Sequence, residues 1–407
     1  MGYPDKKKAK KSSGLGFREM MKEVGIDLQV PTGYIRTRIP TVDMFLAGEI
    51  QIDDETKIGL PRGKNIIISG DSGIGKSTLT LEISRRTCEQ DLITLFLDFE
   101  NGLNEKSVVS YNVMRYIESE RMFVANPVTY KGALDLVDAA YQEFGRIDLV
   151  IVDSLRAIIP EGWVEDNAAA MNDQLGTQAR KEVPFMMLMK HKAAKMGFSL
   201  IYLNQMRVKN NGYAFVQSEA GGNAAKFVPD IRLLAKEKSK IKRDVIINGE
   251  KIERHVGSWV QLFSKKNRYG NMANGISLPC IFGYGISMKM LYAHFLERAG
   301  MVTMGTWKKL AIPDLDLSFN TQKEDDIYEF IGQHYAEVED YILKNKLIFI
   351  DKIDLNKLTV SELEELGVTK TENGFEDTEE VEKRKKNGVP PGRRHFEASE
   401  KNQLPSE

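Results

Sequence analysis

A glycine-rich turn after a hydrophobic segment carries the clearest chemical signal in the sequence. Gly70, Gly75, Lys76 and Ser77 fit the P-loop spacing G-x-x-x-x-G-K-[ST], and the turn follows the apolar run 66–69. Glycines allow backbone N–H groups to surround an anionic oxygen, and the positive end of the next helix adds to the attraction. The lysine can reach the outer phosphates of a nucleotide, and the serine hydroxyl can bind Mg²⁺.

This turn predicts a binding site for a nucleoside triphosphate and Mg²⁺; the alternative is a surface turn between a strand and a helix. The residues predicted to contact the nucleotide are Gly70, Asp71, Ser72, Gly73, Ile74, Gly75, Lys76, Ser77 and Thr78.

Two acidic residues follow other apolar runs. Asp153 comes after the run 149–152, as a Walker B acid does, and is predicted to hold Mg²⁺ through water while Ser77 binds it directly. The alternative for Asp153 is a cap on the next helix. Glu100 follows the run 93–97, where a carboxylate could orient and deprotonate the water that attacks the γ-phosphate. Taken alone, such a glutamate is more often a capping or ion-paired residue.

A long polar loop at 206–222 follows Gln205, whose amide can sense a γ-phosphate and pass the signal onward. The alternative for Gln205 is a plain turn residue. The loop combines positive charge, glycines and aromatic rings, which suits single-stranded nucleic acid, since cations meet phosphates and rings stack on bases. A second candidate loop, 160–173, contains Trp163.

The elements that must position these residues follow from the pattern of apolar runs. Four runs alternate with helical stretches, which predicts an α/β fold with a mainly parallel central sheet. Ligands of such sheets bind beyond the carboxyl ends of the strands. We therefore expect Gly70, Glu100, Asp153 and Gln205 to converge around one nucleotide.

Composition limits the class of protein. The 407 residues are 42% hydrophobic and 28% charged, with a formal net charge of −1. A soluble globular chain has this composition, and nucleic acid would have to bind through local basic patches. No apolar run reaches the roughly 18 residues that span a bilayer, and no apolar signal core is found. Cys88 and Cys280 lie far apart, which favours a reducing cytosol over a disulfide framework.

The two ends of the chain differ from its centre. Residues 1–14 form a lysine-rich arm, either disordered or an auxiliary contact to phosphates, and 15–26 have the spacing of a short amphipathic helix. Helical patterns around a strand-like Leu347–Ile350 predict a small C-terminal lobe, with duplex DNA as a candidate ligand. From 370 onward an acidic and then a basic run predicts a disordered tail, either merely solvated or competing with DNA for the basic surface.

Taken together, these stretches resemble the RecA recombinases, most closely the bacteriophage UvsX-type branch, over about residues 33–290. The matching stretches are Gly59-Leu60-Pro61-Arg62-Gly63-Lys64, Phe96-Leu97-Asp98-Phe99-Glu100, Val150-Ile151-Val152-Asp153-Ser154, Leu203-Asn204-Gln205-Met206-Arg207, Gly221-Gly222-Asn223-Ala224-Ala225-Lys226-Phe227 and Lys266-Asn267-Arg268. The Asn-Gln-x-Arg and Gly-Gly-Asn-Ala motifs, separated by a short loop, are more specific than the P-loop.

The resemblance implies a DNA-dependent ATPase that forms a helical filament on single-stranded DNA and pairs it with homologous double-stranded DNA. It makes Glu100 the water-activating glutamate and Gln205 the switch between nucleotide and DNA. It also makes 161–172 and 206–222 the two DNA-binding loops. The implied DNA-binding residues are Trp163, Arg207, Lys209, Tyr213, Phe215, Gly221, Gly222 and Asn223.

The resemblance also assigns residues to an interface between subunits. Lys266 and Arg268 match two basic residues that reach the ATP of the neighbouring subunit, although the family has lysine at the second position. Asn104 and Ser107 stand where the family places an acid near the adenine and an aromatic ring that stacks on it, which favours looser base selectivity.

The predicted domains are a basic arm and oligomerisation helix (1–32), a RecA-like ATPase core (33–290), a small lobe (291–362) and a charged tail (363–407). The implied setting is DNA recombination, repair and replication in the cytoplasm of a bacterial host, without a membrane. Candidate partners are a single-strand-binding protein and a loading mediator.

Three other functions stay open at this point. A hexameric RecA-fold helicase shares the ATP site but forms a closed ring. A regulatory P-loop ATPase would not respond to DNA. A mediator with an inactive ATP site is the third, and the intact Lys76, Glu100 and Asp153 weigh against it.

Overall fold

The computed structural model describes residues 31–47, 58–159, 177–210, 215–219, 226–247, 250–269, 274–348, 351–352, 368–371 and 374–377. Its strands are β1 (Tyr34–Ile35), β2 (Leu60–Pro61), β3 (Asn65–Gly70), β4 (Thr94–Asp98), β5 (Met122–Ala125), β6 (Leu149–Asp153), β7 (Ser199–Asn210), β8 (Phe215–Glu219), β9 (Ile231–Ile247), β10 (Glu250–Asn267), β11 (Asn274–Ile281), β12 (Gly285–Ile286), β13 (Val302–Met304), β14 (Lys308–Ile312), β15 (Leu317–Thr321), β16 (Asp351–Lys352), β17 (Val368–Thr371) and β18 (Gly374–Asp377). Its α-helices are α1 (Pro40–Ala47), α2 (Lys76–Cys88), α3 (Glu105–Ser110), α4 (Met114–Glu118), α5 (Tyr130–Phe144), α6 (Thr177–Met196), α7 (Met288–Arg298), α8 (Glu324–Gln333) and α9 (Tyr335–Lys344).

One large sheet contains the predicted strands. Its order is β12-β11-β10-β9-β3-β7-β6-β4-β5, with β16 paired to β11 and β8 paired to β7. Neighbouring strands from β9 to β5 run parallel, whereas β9 to β12 are antiparallel. The predicted α/β fold with a mainly parallel central sheet is therefore confirmed.

Both faces of this sheet are covered, which explains why its strands appear in the sequence as continuous apolar runs. Along β3, Ile66 and Ile68 belong to the hydrophobic core on one face, together with Leu79 of α2. Ile67 belongs to the core on the opposite face, together with Met189 of α6. Packing on both faces therefore fixes the positions of the strand ends relative to one another.

The parallel register brings the predicted site residues to one edge. Gly70 of β3 is the register partner of Gln205 in β7, and Asp98 of β4 is the partner of Asp153 in β6. Glu100 follows two residues after the end of β4. The expected convergence at the carboxyl edge follows from these pairings.

Several elements differ from the sequence-based expectation. The loop predicted at 206–222 is wrong in part, because β7 continues to Asn210 and pairs antiparallel with β8. This extension lies beyond the buried run 199–203, so hydrophobicity gave no sign of it. Strand β5 was also missed, since most of its four residues are only half-buried.

The C-terminal lobe also differs from the expectation. Leu347 and Ile348 are not in a strand, and the lobe sheet is formed by β13, β14 and β15. The disordered tail predicted from 370 onward is wrong in part, because β17 and β18 pair antiparallel across its first residues. The predicted helix at 15–26, the loop containing Trp163 and the tail beyond 377 lie outside the described residues, so the domain division stays a prediction. Among the described helices, none combines the length and hydrophobicity that a membrane crossing requires.

Candidate functional site

The P-loop joins β3 to α2 at the carboxyl edge of the sheet. A Cβ atom on Gly70 would lie 2.6 Å from the Ala235 carbonyl oxygen of β9, so only glycine fits this approach. Gly75 has a φ of 98°, in the left-handed region that favours glycine, and helix α2 begins at the next residue. The turn therefore directs the first N–H groups of α2 towards the space beyond the strands.

Lys76 lies across this turn with its ammonium group held by the loop. Lys76 Nζ donates to the carbonyl oxygens of Gly70 at 3.0 Å and Asp71 at 2.7 Å. Burial lowers the pKa of Lys76, while the carboxylates of Asp153, Glu100 and Asp71 act in the opposite direction. A cation in this position is suited to the outer phosphates of a bound nucleotide.

Ser77 and Asp153 form an oxygen pair beside the lysine. Ser77 Oγ donates to Asp153 Oδ2 at 2.7 Å. The pKa of Asp153 is raised to about 6, mainly by burial and to a smaller extent by the nearby carboxylates of Glu100 and Asp98, whereas the Ser77 hydrogen bond and the Lys76 ammonium group lower it. A carboxylate that is costly to ionise without a cation, next to a hydroxyl oxygen, fits the hard oxygen ligands that Mg²⁺ prefers.

The described residues include no cluster of three His, Cys, Asp or Glu side chains that could hold a metal ion. An ion bound by Ser77 and Asp153 would therefore share its other positions with phosphate oxygens and water, as Mg²⁺ does in nucleotide sites.

The raised pKa of Asp153 predicts a stabilising effect of Asp153→Asn in metal-free protein. The folded protein binds the proton more tightly than the unfolded chain does, so this contribution to stability is complete below pH 3.8 and is lost as pH rises through about 6. At pH 8 the asparagine variant avoids the buried charge, and we expect its free energy of unfolding to exceed that of wild type by about 1–3 kcal/mol.

Urea unfolding in EDTA at pH 5 and pH 8 tests this prediction. The control variant is Asp91→Asn, whose carboxylate is 79% exposed and which should change little. A metal-free Asp153→Asn protein that is no more stable than wild type at pH 8 would show that the ionised Asp153 carboxylate does not destabilise the fold, and would contradict its raised pKa.

Glu100 is fixed between the ends of β6 and β7. Its Oε1 accepts a hydrogen bond from Ser154 Oγ and another from Gln205 Nε2 at 2.8 Å. Its backbone N–H donates to the Asp153 carbonyl oxygen at 3.3 Å, and Asp98 accepts the N–H of Leu103 at 2.8 Å in the loop that follows. The carboxylate thus faces the P-loop while its amide partner belongs to the strand that continues into the β7–β8 hairpin.

These side chains line one cavity of about 170 Å³. Sequence reasoning selected most of its lining but missed Phe282, which is 46% exposed and lies in the turn between β11 and β12. It also missed Tyr111, whose hydroxyl group lies 3.0 Å from Thr78 Oγ1 and accepts the Gly283 N–H at 3.3 Å. The local sequence gives no signal for either residue, because only the folded sheet brings them to the P-loop.

Other predicted site residues do not line this cavity. Asn104 caps helix α3, since its Oδ1 accepts the Ser107 N–H at 3.0 Å. Lys266 and Arg268 lie at the opposite, amino edge of the sheet, where Arg268 contacts Asp230 and the Asp230 N–H donates to the Asn65 carbonyl oxygen.

The predicted DNA-binding residues fall mainly beyond the described chain. Arg207, Lys209 and Phe215 lie on the backbone of the β7–β8 hairpin, in register with Ser218, Val216 and Asn210 respectively. Trp163, Tyr213, Gly221, Gly222 and Asn223 lie outside the described residues.

Comparisons with known proteins find similarity over about two thirds of the sequence. The family model of the RecA N-terminal domain matches residues 20–287. Protein RecA of Campylobacter fetus subsp. fetus is 27% identical over 282 residues, which cover 68% of this chain and 76% of the relative. Protein RecA of Helicobacter pylori (strain P12) is 29% identical over 281 residues, again 68% of this chain and 76% of the relative. The range that the family model matches includes the P-loop, Glu100, Asp153 and the turn that contains Phe282.

Proposed function

The chain belongs to the RecA family, and from this premise we propose that it is a DNA-dependent ATPase that forms a helical filament on single-stranded DNA and catalyses homologous pairing and strand exchange. The observation that carries the proposal is the convergence of Lys76, Ser77, Asp153, Glu100 and Gln205 on one cavity.

The proposed ATP chemistry assigns one task to each side chain. Lys76 binds the outer phosphates, and Ser77 and Asp153 hold Mg²⁺, which would neutralise charge on the phosphate oxygens. Glu100 accepts the proton of the attacking water, because it is the exposed carboxylate facing the P-loop. Phe282, on the rim of the same cavity, offers an apolar surface to the adenine base of ATP.

The link from ATP to DNA runs through Gln205. Its Nε2 donates to Glu100 at 2.8 Å, and the strand that carries it continues five residues further into the β7–β8 hairpin. A nucleotide that draws Glu100 away changes the hydrogen bonding of Gln205 at the base of that hairpin. We propose that this change places Arg207, Lys209 and Phe215 on single-stranded DNA, with Tyr213, Trp163 and the Gly221-Gly222-Asn223 motif completing the surface.

Lys266 and Arg268 are proposed to act on the nucleotide of a neighbouring subunit. They lie beside Asp230 at the amino edge, and strand β3 separates that edge from Gly70 by five residues. At about 3.3 Å per residue the separation is about 16 Å, so neither cation serves the P-loop of its own chain. An interface between subunits supplies the missing contact.

Removing this contact should affect only the assembled protein. We expect Arg268→Ala to lower DNA-stimulated ATP hydrolysis by about 100-fold or more, since a cation delivered to the phosphates by a neighbour has effects of this size. Phosphate release is measured in two conditions: with saturating single-stranded DNA, where the protein assembles, and at protein concentrations too low for assembly. The control is Arg146→Ala, which removes a cation that also lies at the amino edge of the sheet, three residues before β6, and contacts Asp148 at 3.5 Å. Equal losses in dilute and assembled protein would exclude action across an interface.

The wider setting is also part of the proposal. The function places the protein in recombination, repair and recombination-dependent replication in the cytoplasm of a bacterial host, as expected for a bacteriophage UvsX-type protein. A single-strand-binding protein and a loading mediator are the proposed accessory partners.

The decisive experiment measures ATP hydrolysis with and without single-stranded DNA and images the same samples by negative stain. The proposal predicts stimulation by DNA together with open helical filaments. Closed rings that unwind forked DNA would favour a hexameric helicase. Hydrolysis unchanged by DNA would favour a regulatory ATPase.

A further inference from the structure

A buried carboxylate at the amino edge of the sheet holds two cations on the same oxygen. Asp230 is 1% exposed, and its Oδ1 accepts hydrogen bonds from Lys190 Nζ at 2.6 Å and Arg268 Nη1 at 3.0 Å. Its Oδ2 accepts the Asn65 N–H at 3.3 Å. One carboxylate therefore forms ion pairs with two cations: Lys190 of helix α6, and Arg268, the residue after strand β10.

The cluster also fixes the chain segment 227–230, which follows the Gly221-Gly222-Asn223 motif in the sequence. Lys266 Nζ donates to the carbonyl oxygens of Pro229 at 2.6 Å and Phe227 at 3.3 Å. Lys190 Nζ adds a bond to the Val228 carbonyl oxygen at 3.1 Å. Two cations thus contact the carboxylate and a third lies on the carbonyl groups of the adjoining segment, and this excess of positive charge favours the approach of an anion.

Arg268 is the cation that can leave Asp230 at the lower energetic cost. Its side chain is 42% exposed, whereas that of Lys190 is 29% exposed. If Arg268 leaves, Lys190 still neutralises the carboxylate. Without Lys190, the same movement would leave a buried charge unpaired, which is strongly unfavourable.

We propose, on the basis of the function proposed above, that Arg268 pairs with Asp230 before subunits assemble. When Arg268 then moves to the triphosphate of the neighbouring subunit, Lys190 stays paired with Asp230. Asp230 and Lys190 are then positioning residues that touch no nucleotide. They set how readily a nucleotide-bound subunit joins the next one.

The proposal makes the effect of one substitution depend on the other. In Lys190→Met, departure of Arg268 leaves Asp230 unpaired, so we expect roughly three- to tenfold more protein to be needed to coat single-stranded DNA. In Asp230→Asn there is no buried charge to leave behind. Adding Lys190→Met to Asp230→Asn should therefore change the required concentration by less than about 1.5-fold, since the coupling has been removed.

The measurement is fluorescence anisotropy of labelled oligothymidylate titrated with protein in Mg²⁺ and the slowly hydrolysed analogue ATPγS. Lys192→Met is the matched control, because Lys192 lies on the same helix but pairs with Asp138. Lys190→Arg keeps the charge and should restore wild-type assembly. Thermal melting of each variant checks that it is folded.

Two results would overturn the inference alone: a Lys190→Met effect that persists in the Asp230→Asn background, or equal effects of Lys190→Met and Lys192→Met. Wild-type protein that fails to coat DNA with ATPγS present would overturn the proposed function, and this inference with it.

Discussion

We expect the Lys76→Ala variant to lose at least about 10³-fold in ATP hydrolysis, with or without single-stranded DNA, because the outer phosphates lose a positive partner that is itself only 9% exposed. The ammonium group already lies within the turn, 3.0 Å from the Gly70 carbonyl oxygen and 2.7 Å from that of Asp71. Three carboxylates lie close enough to Lys76 to raise its pKa, namely those of Asp153, Glu100 and Asp71. Without the lysine they would face the triphosphate with no cation between.

Phosphate release under saturating ATP measures the loss, and Lys106→Ala is the control, since it removes an exposed lysine from nearby helix α3. The nucleotide dependence of DNA binding should disappear together with hydrolysis, because the proposed signal through Gln205 requires a bound γ-phosphate. Turnover of Lys76→Ala within about tenfold of wild type would contradict the P-loop role, since removal of a single preorganised donor already costs more than this.

The part of the site that could be predicted from sequence is the part encoded locally. Gly70, Lys76 and Ser77 lie within eight residues, between a strand and a helix. Asp153 ends a run that is buried on both faces, so its position at the strand end follows from hydrophobicity alone. The parallel topology then brings these ends together, and the family match over 20–287 supports the same fold.

What could not be predicted depends on contacts between distant segments. Phe282 reaches the P-loop only because β11 and β12 extend the sheet past β9 and β10. The Asp230 cluster joins residues that are about 40 positions apart, and no motif marks Lys190. The β7–β8 hairpin was taken for a loop because its first strand mixes charged and polar residues such as Arg207, Lys209 and Asn210 with apolar ones, in place of the continuous apolar run that marks the buried strands.

Glu100→Gln is expected to separate binding from chemistry. The glutamine oxygen can still accept the hydrogen bonds of Ser154 Oγ and Gln205 Nε2, so the pocket keeps its shape. The amide cannot take a proton from water, so we expect hydrolysis to fall by about 10²–10⁴-fold. On the proposed function, ATP then persists between subunits, and the proposed filament on DNA should dissociate correspondingly more slowly.

Two measurements on the same preparation test this separation. Phosphate release reports the chemical step, and anisotropy of labelled single-stranded DNA after addition of excess unlabelled competitor reports the lifetime of the complex. The control is Glu105→Gln, which neutralises an exposed carboxylate five residues further along and should leave both rates unchanged. If Glu100→Gln hydrolyses ATP at the wild-type rate, another group is the base. If hydrolysis and DNA binding are lost together, Glu100 is needed to build the pocket, and its hydrogen bonds to Ser154 and Gln205 are then its main contribution.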